Sequence, residues 1–347
     1  MSRSMIAANQ TVFRLLSDHS VRHGNPVQSP EKIRFIASTG RDKEYLKNLK
    51  IGQSIRFGRH RSLSSLSINQ DRLVGLVGFD FEPDLPELTY IGGDAGTSVA
   101  LISEMQPHPI ASPAQIRNIV EAGDKSVEGY TGHRIADVAP LFPPIQIWQT
   151  NREDSSDSIW QLFLSVCVHE CQRGGSWIEG ALADELTALA QLGIPLLPYR
   201  SLCHSIFDMD PRSLYMSLYR CIEATYAYES CRRLVDRLSL NFDWHLLAQA
   251  LDAEVGWHPK ESNSLNQSLK YALEQDLADI CALLGVKEGS NVAAAAGTAI
   301  YRLRNRIVHF RPGIDEVGVD EYDWNSICLH LVRIVLNVFS QAYAYQA

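Results

Sequence analysis

The chain has 347 residues, of which 45% are hydrophobic and 21% charged, with a formal net charge of −8. That length exceeds one typical domain and that composition supports a sizeable buried core, so two globular domains are expected and a disordered or fibrous chain is excluded. From residue 201 onward there are 13 Lys and Arg against 18 Asp and Glu, and before it 19 against 22. Neither half is a basic nucleic-acid coat, so any nucleic-acid site must be a local patch.

Residues 1–30 read as mixed and polar, with a short apolar helical stretch at Val12, Phe13, Leu15 and Leu16. The opening lacks a continuous apolar run, so no signal peptide is expected. No segment approaches a membrane span, and a cytoplasmic protein with no membrane partner follows. Short runs rich in β-branched and aromatic residues predict strands at 32–36, 54–57, 72–77 and 88–91. A glycine-rich run at 92–98, GGDAGTS, follows the last of these. It could offer amide N–H groups to a phosphate, but it lacks the lysine of a P-loop and the spacing of a dinucleotide fingerprint, so a tight turn is the plainer reading. Ser112 is placed to cap a short helix over 113–122, and helices are expected over 159–168 and 177–192.

Beyond Pro211 the pattern turns wholly helical. Helices are predicted over 213–238, 243–255, 266–284, 292–310 and 324–345, several of them stopped by glycine or proline. The fold class is therefore α+β overall: a mixed α/β domain over 1–205, regulatory or recognising in role, then an all-α bundle over 206–347. The seven cysteines (167, 171, 203, 221, 231, 281 and 328) are odd in number and scattered. They suit buried thiols in a reducing compartment better than disulfides. Cys167, His169 and Cys171 gather ligand types, but a helix sets His169 opposite the two cysteines, and no metal is expected. His204, Asp208 and His258 are isolated and receive no role.

The chemistry concentrates in 300–312, IYRLRNRIVHFRP. On a helical wheel Ile300, Leu303, Ile307 and Phe310 form one apolar stripe, while Arg302, Asn305, Arg306 and His309 share the opposite face. Arg304 borders the stripe, so its stem can be buried while its guanidinium reaches out. The segment sets permanent cations beside the side chain that titrates near neutrality, without any Lys or Glu. Cleavage of RNA by its own 2′-hydroxyl needs a proton removed there, a proton delivered to the 5′-oxygen, and charge stabilisation between them. Histidine and arginine supply those functions. Cations in a last helical turn also complement the helix dipole, which accounts equally for Arg306, His309 and Arg311.

The string Arg304-Asn305-Arg306-Ile307-Val308-His309 resembles the R-x4–6-H motif of the HEPN superfamily, including the polar residue after the arginine. The segment 218–223, LYRCIE, is similar to its counterpart in bacterial HEPN proteins. The likeness covers about 211–347. It implies a metal-independent endoribonuclease that needs no cofactor and works as a homodimer with one composite cleft. Arg304 and His309 would be catalytic, Asn305 would support them, and Arg302, Arg306 and Arg311 would contact RNA. Such proteins are commonly toxins or antiphage effectors. An antitoxin or other regulatory partner is a further implication, and some members serve only as inactive binding or assembly modules. Glu223 is placed either at the active site or as an arginine's partner. On a straight helix Arg304 and His309 lie about 140° apart, so a second subunit is expected to close the gap.

Overall fold

The structure is a computed structural model, and it describes residues 4–29, 32–80, 85–122, 129–152, 155–194, 197–287, 291–309 and 317–343. The chain divides into two compact units, Met1–Ile159 and Trp160–Ala347. The molecule mixes helices with one antiparallel sheet, as the α+β expectation required. Among the described residues no helix is long and apolar enough to cross a membrane.

In the first unit, helices α1 (Met5–Arg22) and α2 (Gly40–Asn48) precede a meander of β1 (Lys50–Phe57), β2 (Arg61–Ile68) and β3 (Asp71–Val77). Strand β4 (Leu88–Tyr90), helices α3 (Ala95–Met105), α4 (Pro113–Val120) and α5 (Ile135–Val138), and strand β5 (Ile145–Thr150) follow. The sheet order is β1-β2-β3-β5-β4, antiparallel throughout, so β5 inserts between two strands that precede it in the chain. Val12 and Leu16 of α1, Leu46 of α2, Val99 and Ile102 of α3, and Ile116 of α4 share one core with Leu66, Leu73 and Ile147 of the sheet. Ser112 caps α4 in a reciprocal box with Gln115, as its sequence predicts.

Three expectations change here. The apolar stretch near Val12 is part of an 18-residue helix. The run at 32–36 makes one isolated bridge, Ile36 to His133, rather than a strand. The glycine-rich segment opens α3, and its amides already serve carboxylates. Thr97 N–H donates to Asp94 Oδ1 at 2.7 Å, and Gly96 N–H donates to Asp42 Oδ1 at 3.2 Å. A Cβ at Gly96 would lie 2.3 Å from the Asp42 carbonyl oxygen, so glycine is required by the close approach of two backbones.

Helix α6 (Ser156–Gln172) spans the boundary between the units, and only helices follow it among the described residues. They are α7 (Gly180–Gln191), α8 (Tyr199–Ile206), α9 (Arg212–Glu223), α10 (Tyr228–Leu238), α11 (Trp244–Val255), α12 (Glu261–Ser268), α13 (Glu274–Leu283), α14 (Val292–Val308) and α15 (Trp324–Ala342). Helix α15 packs on α7, α9 and α13 and buries Ile327, Leu331, Val335 and Phe339. The boundary falls after Ile159, not near 205. Arg333 of α15 pairs with Glu185 of α7 at 2.8 Å, Asn325 accepts from Glu179 N–H at 2.9 Å, and α8 packs on α9. Residues 160–205 are thus helical-unit structure.

The predicted helix over 213–238 is interrupted at 224–227, where Thr225 Oγ1 donates to the Ile222 carbonyl and meets Ser268 Oγ. That hydroxyl competes with the helical ladder. The predicted helix over 266–284 likewise splits around a 3-10 turn at Leu269–Tyr271. Helix α11 begins and ends where expected, with Gly256 at φ +63° as its terminator. All seven cysteines are free and buried.

Candidate functional site

Helix α14 starts at Asn291, whose side chain accepts from Ala294 N–H, and it ends at Val308 with His309 as C-cap in extended conformation. Ile300 and Leu303 are buried, as their stripe requires. Tyr215 of α9 is fully buried, and its hydroxyl donates to the Ile300 carbonyl at 2.7 Å, fixing the two helices together. Phe310 and Arg311 lie outside the described residues, so the expected role of Arg311 is unaddressed by the structure.

Arg304 is the centre of a polar network. Its Nη1 donates to Asn305 Oδ1 at 2.9 Å, and its Nη2 lies 3.7 Å from Glu261 Oε1 and 4.0 Å from Glu223 Oε1. The guanidinium sits over the Tyr219 ring, 5.7 Å from its centroid. Tyr226 Oη donates to Tyr219 Oη at 3.0 Å, and Tyr219 Oη donates to Glu261 Oε1 at 2.9 Å. Burial, with Tyr226 and Glu261 close by, pushes the Tyr219 hydroxyl far above its ordinary range, so it stays a proton donor. Burial raises the Glu223 carboxyl above its ordinary value while Arg304 opposes that rise. The Arg304 side chain is 21% exposed, so it is held rather than enclosed. Its Nε is buried and makes no hydrogen bond among the described residues.

The other predicted residues separate. His309 is exposed, and its backbone N–H donates to the Asn305 carbonyl at 2.9 Å. No hydrogen bond or ion pair joins its ring to Arg304 or Asn305 among the described residues. Arg302 is exposed. Arg306 is engaged: its guanidinium meets Glu321 at 2.9 and 3.2 Å and donates to Tyr322 Oη at 2.7 Å. It therefore faces a carboxylate within the chain where a free backbone contact was expected. No family model, curated protein or solved structure matches this chain.

Beside the end of α14 a cleft of about 460 Å³ is lined by Ile307 together with His204, Asp208, Arg212, Ser213 and Arg220. His204 and Asp208, which the sequence left without a role, thus line this cleft. Arg212 is held there by Asp210 at 2.8 Å and by the Val317 carbonyl. Glu261, Tyr219 and Tyr226 were missed as site residues. Tyrosines at 215 and 219, one helical turn apart on the face that buries, are the signal that could have found part of the network. Glu261 carries no such signal, because its place depends on how α12 docks.

Proposed function

We propose that the helical unit is a metal-independent endoribonuclease of the HEPN kind, acting as a homodimer, with the first unit regulating or recognising. The observation that carries this reading is one helix end bearing two prepared parts. Arg304 and Asn305 are locked side by side by a 2.9 Å hydrogen bond, and His309 stands exposed at the C-cap. In the reaction, a base takes the 2′-hydroxyl proton, the 2′-oxygen attacks phosphorus, and the P–O5′ bond breaks as an acid protonates the 5′-oxygen. His309 would move the proton, and Arg304 would stabilise the charge gathering on the non-bridging oxygens. Products are a 2′,3′-cyclic phosphate and a 5′-hydroxyl. The cleft lined by Ile307 adds Arg212 and Arg220 beside the same helix. A toxin or antiphage role, with or without an antitoxin, belongs to the same reading.

One observation favours a second reading. Two carboxylates already compensate Arg304, which suits a structural arginine in an inactive assembly module. Incubating the purified chain with end-labelled RNA decides between them. The expected result is chelator-resistant cleavage with cyclic-phosphate ends that His309→Ala abolishes without shifting the melting temperature. Absence of cleavage across RNA classes, with Arg304→Ala losing stability or assembly while His309→Ala behaves like the parent, favours the assembly module.

A further inference from the structure

The first unit carries a cluster of cations that plays no part in the reading above. The last turn of α1 holds His19 and Arg22, and His23 is its C-cap. The His19 and His23 rings lie 4.3 Å apart, and His23 Nδ1 is 2.8 Å from the His19 carbonyl. The turn between β1 and β2 adds Arg59 and His60, and the loop after α3 adds His108. That turn and loop are tied together. His108 N–H donates to the Arg59 carbonyl at 2.9 Å, His60 Nδ1 lies 3.2 Å from the His108 carbonyl, and the two rings are 6.0 Å apart. Arg22, His23, Arg59 and His60 are exposed, while His19 and His108 are half-buried.

We infer that this surface binds the phosphodiester backbone of a single nucleic-acid strand, with Arg22 and Arg59 on phosphates and the imidazoles beside them. Its electrostatics set it apart within an acidic chain. After burial, the charged neighbours that lower His19 are His23, Arg22 and His108, and those that lower His108 are Arg59, Arg22 and His60. Each is a basic residue, and α1 packs directly on α3, the helix that leads into the loop carrying His108. The remaining ionisable groups on these elements are Arg14 and Asp18 of α1, Lys50 and Arg56 of β1, Arg61 of β2 and Glu104 of α3. Helix α4, packed on α1, adds Arg117 and Glu121, paired at 3.0 Å. Arg56 Nη2 donates to the Glu104 carbonyl and Arg61 Nε to the Gly78 carbonyl. Asp18 lies on the same turn of α1, where Arg22 Nε donates to its backbone carbonyl at 3.3 Å.

The basic groups here outnumber the carboxylates of Asp18 and Glu104, an imbalance that an arriving anion relieves. Guanidinium groups match phosphate in bidentate fashion, and the exposed rings of His23 and His60 offer faces for unstacked bases. A strand of phosphates fits this combination better than an acidic peptide or a lipid headgroup, neither of which uses ring faces. Bound phosphates favour the imidazolium forms, so binding takes up protons and tightens as pH falls through the histidine range. The inference stands apart from the ribonuclease reading, because it concerns the other unit and a step without cleavage.

The test uses the full chain and fluorescence anisotropy with labelled 2′-O-methyl RNA, which cannot be cut by its own 2′-oxygen, and with DNA of the same sequence. Either strand should bind, more tightly at about pH 6 than at about pH 7.5. Arg22→Ala/Arg59→Ala, both exposed, should weaken binding at least about tenfold at low salt and reduce the log–log salt slope by about 1.4. The double variant should melt like the parent, and its loss of binding reads the first unit whether or not the chain cleaves RNA. Unchanged affinity and slope in the double variant would overturn the inference. So would binding confined to phosphatidylserine vesicles, or displacement by inorganic phosphate as effectively, phosphate for phosphate, as by the strand.

Discussion

Replacing Arg304 separates its charge from its chemistry. The guanidinium lies 3.7 Å from Glu261 and 4.0 Å from Glu223, each carboxylate being one-third exposed. At an effective dielectric near 20 each contact is worth about 4 kcal/mol before desolvation is subtracted. Desolvation offsets most of that, and partial exposure screens the rest. Arg304→Ala also removes the stack on Tyr219 and leaves two carboxylates facing each other. The expected net loss is about 1–3 kcal/mol, or roughly 5 °C in melting temperature for a unit of this size. The triple variant Arg304→Gln/Glu223→Gln/Glu261→Gln removes the uncompensated charge while keeping an oxygen to accept from Tyr219.

If Arg304 acts on RNA, the triple variant recovers most of the lost stability yet cleaves nothing. Circular dichroism melts and a labelled-RNA cleavage assay on the same samples read the two effects side by side. Recovery of both stability and cleavage would show that the arginine only balances its carboxylates. A single Arg304→Ala variant that melts like the parent would refute the charge argument itself.

Gly96→Ala should cost about 1–3 kcal/mol in urea unfolding, because the new Cβ would meet Asp42 backbone rather than a yielding side chain; a loss below about 0.5 kcal/mol would contradict that packing. Burial holds the Glu223 carboxyl above its ordinary value, so the folded chain keeps a proton that the unfolded chain has released. Stability contributed there is present at low pH and lost as pH rises through the folded value. The parent's stability relative to Glu223→Gln should therefore decline as pH climbs out of the ordinary carboxylate range, and a difference that grows with pH would reverse the sign. Glu321→Gln should change stability by less than about 1 kcal/mol and release Arg306, tightening RNA binding; an unchanged affinity would remove Arg306 from the RNA contacts.

Helix ends and glycine stops were legible because capping is local. Ser112 and Gly256 act within a turn or two of themselves. Strand β2, RSLSSLSI, was not legible, since its serines obscure the apolar pattern. Ser64 and Ser65 are buried by donating to Met105 Sδ and the Gln53 carbonyl, partners that exist only after folding. Strand β5 does carry an Ile145-Gln146-Ile147 alternation, which the prolines just before it overshadowed. The break at 224–227 depends on Ser268, 43 residues away, and no local signal announces it.

The site divides along the same line. The apolar stripe of α14 and the exposure of Arg302 and His309 follow from helical period alone. What each arginine is doing does not, because its partners come from elsewhere in the chain. Arg306 meets Glu321 from beyond the helix end, and Arg304 meets α9 and α12. A motif of two residues fixes chemical types and leaves their charge state and freedom to the packing around them. Here that packing gives Arg304 a defined position and also gives it counter-charges, while His309 receives neither. On the proposed ribonuclease reading, the pair would need a phosphate that draws the guanidinium from its carboxylates and a second surface that meets His309. On that reading the second surface is a partner subunit, so a chain held monomeric should retain its stability and lose cleavage.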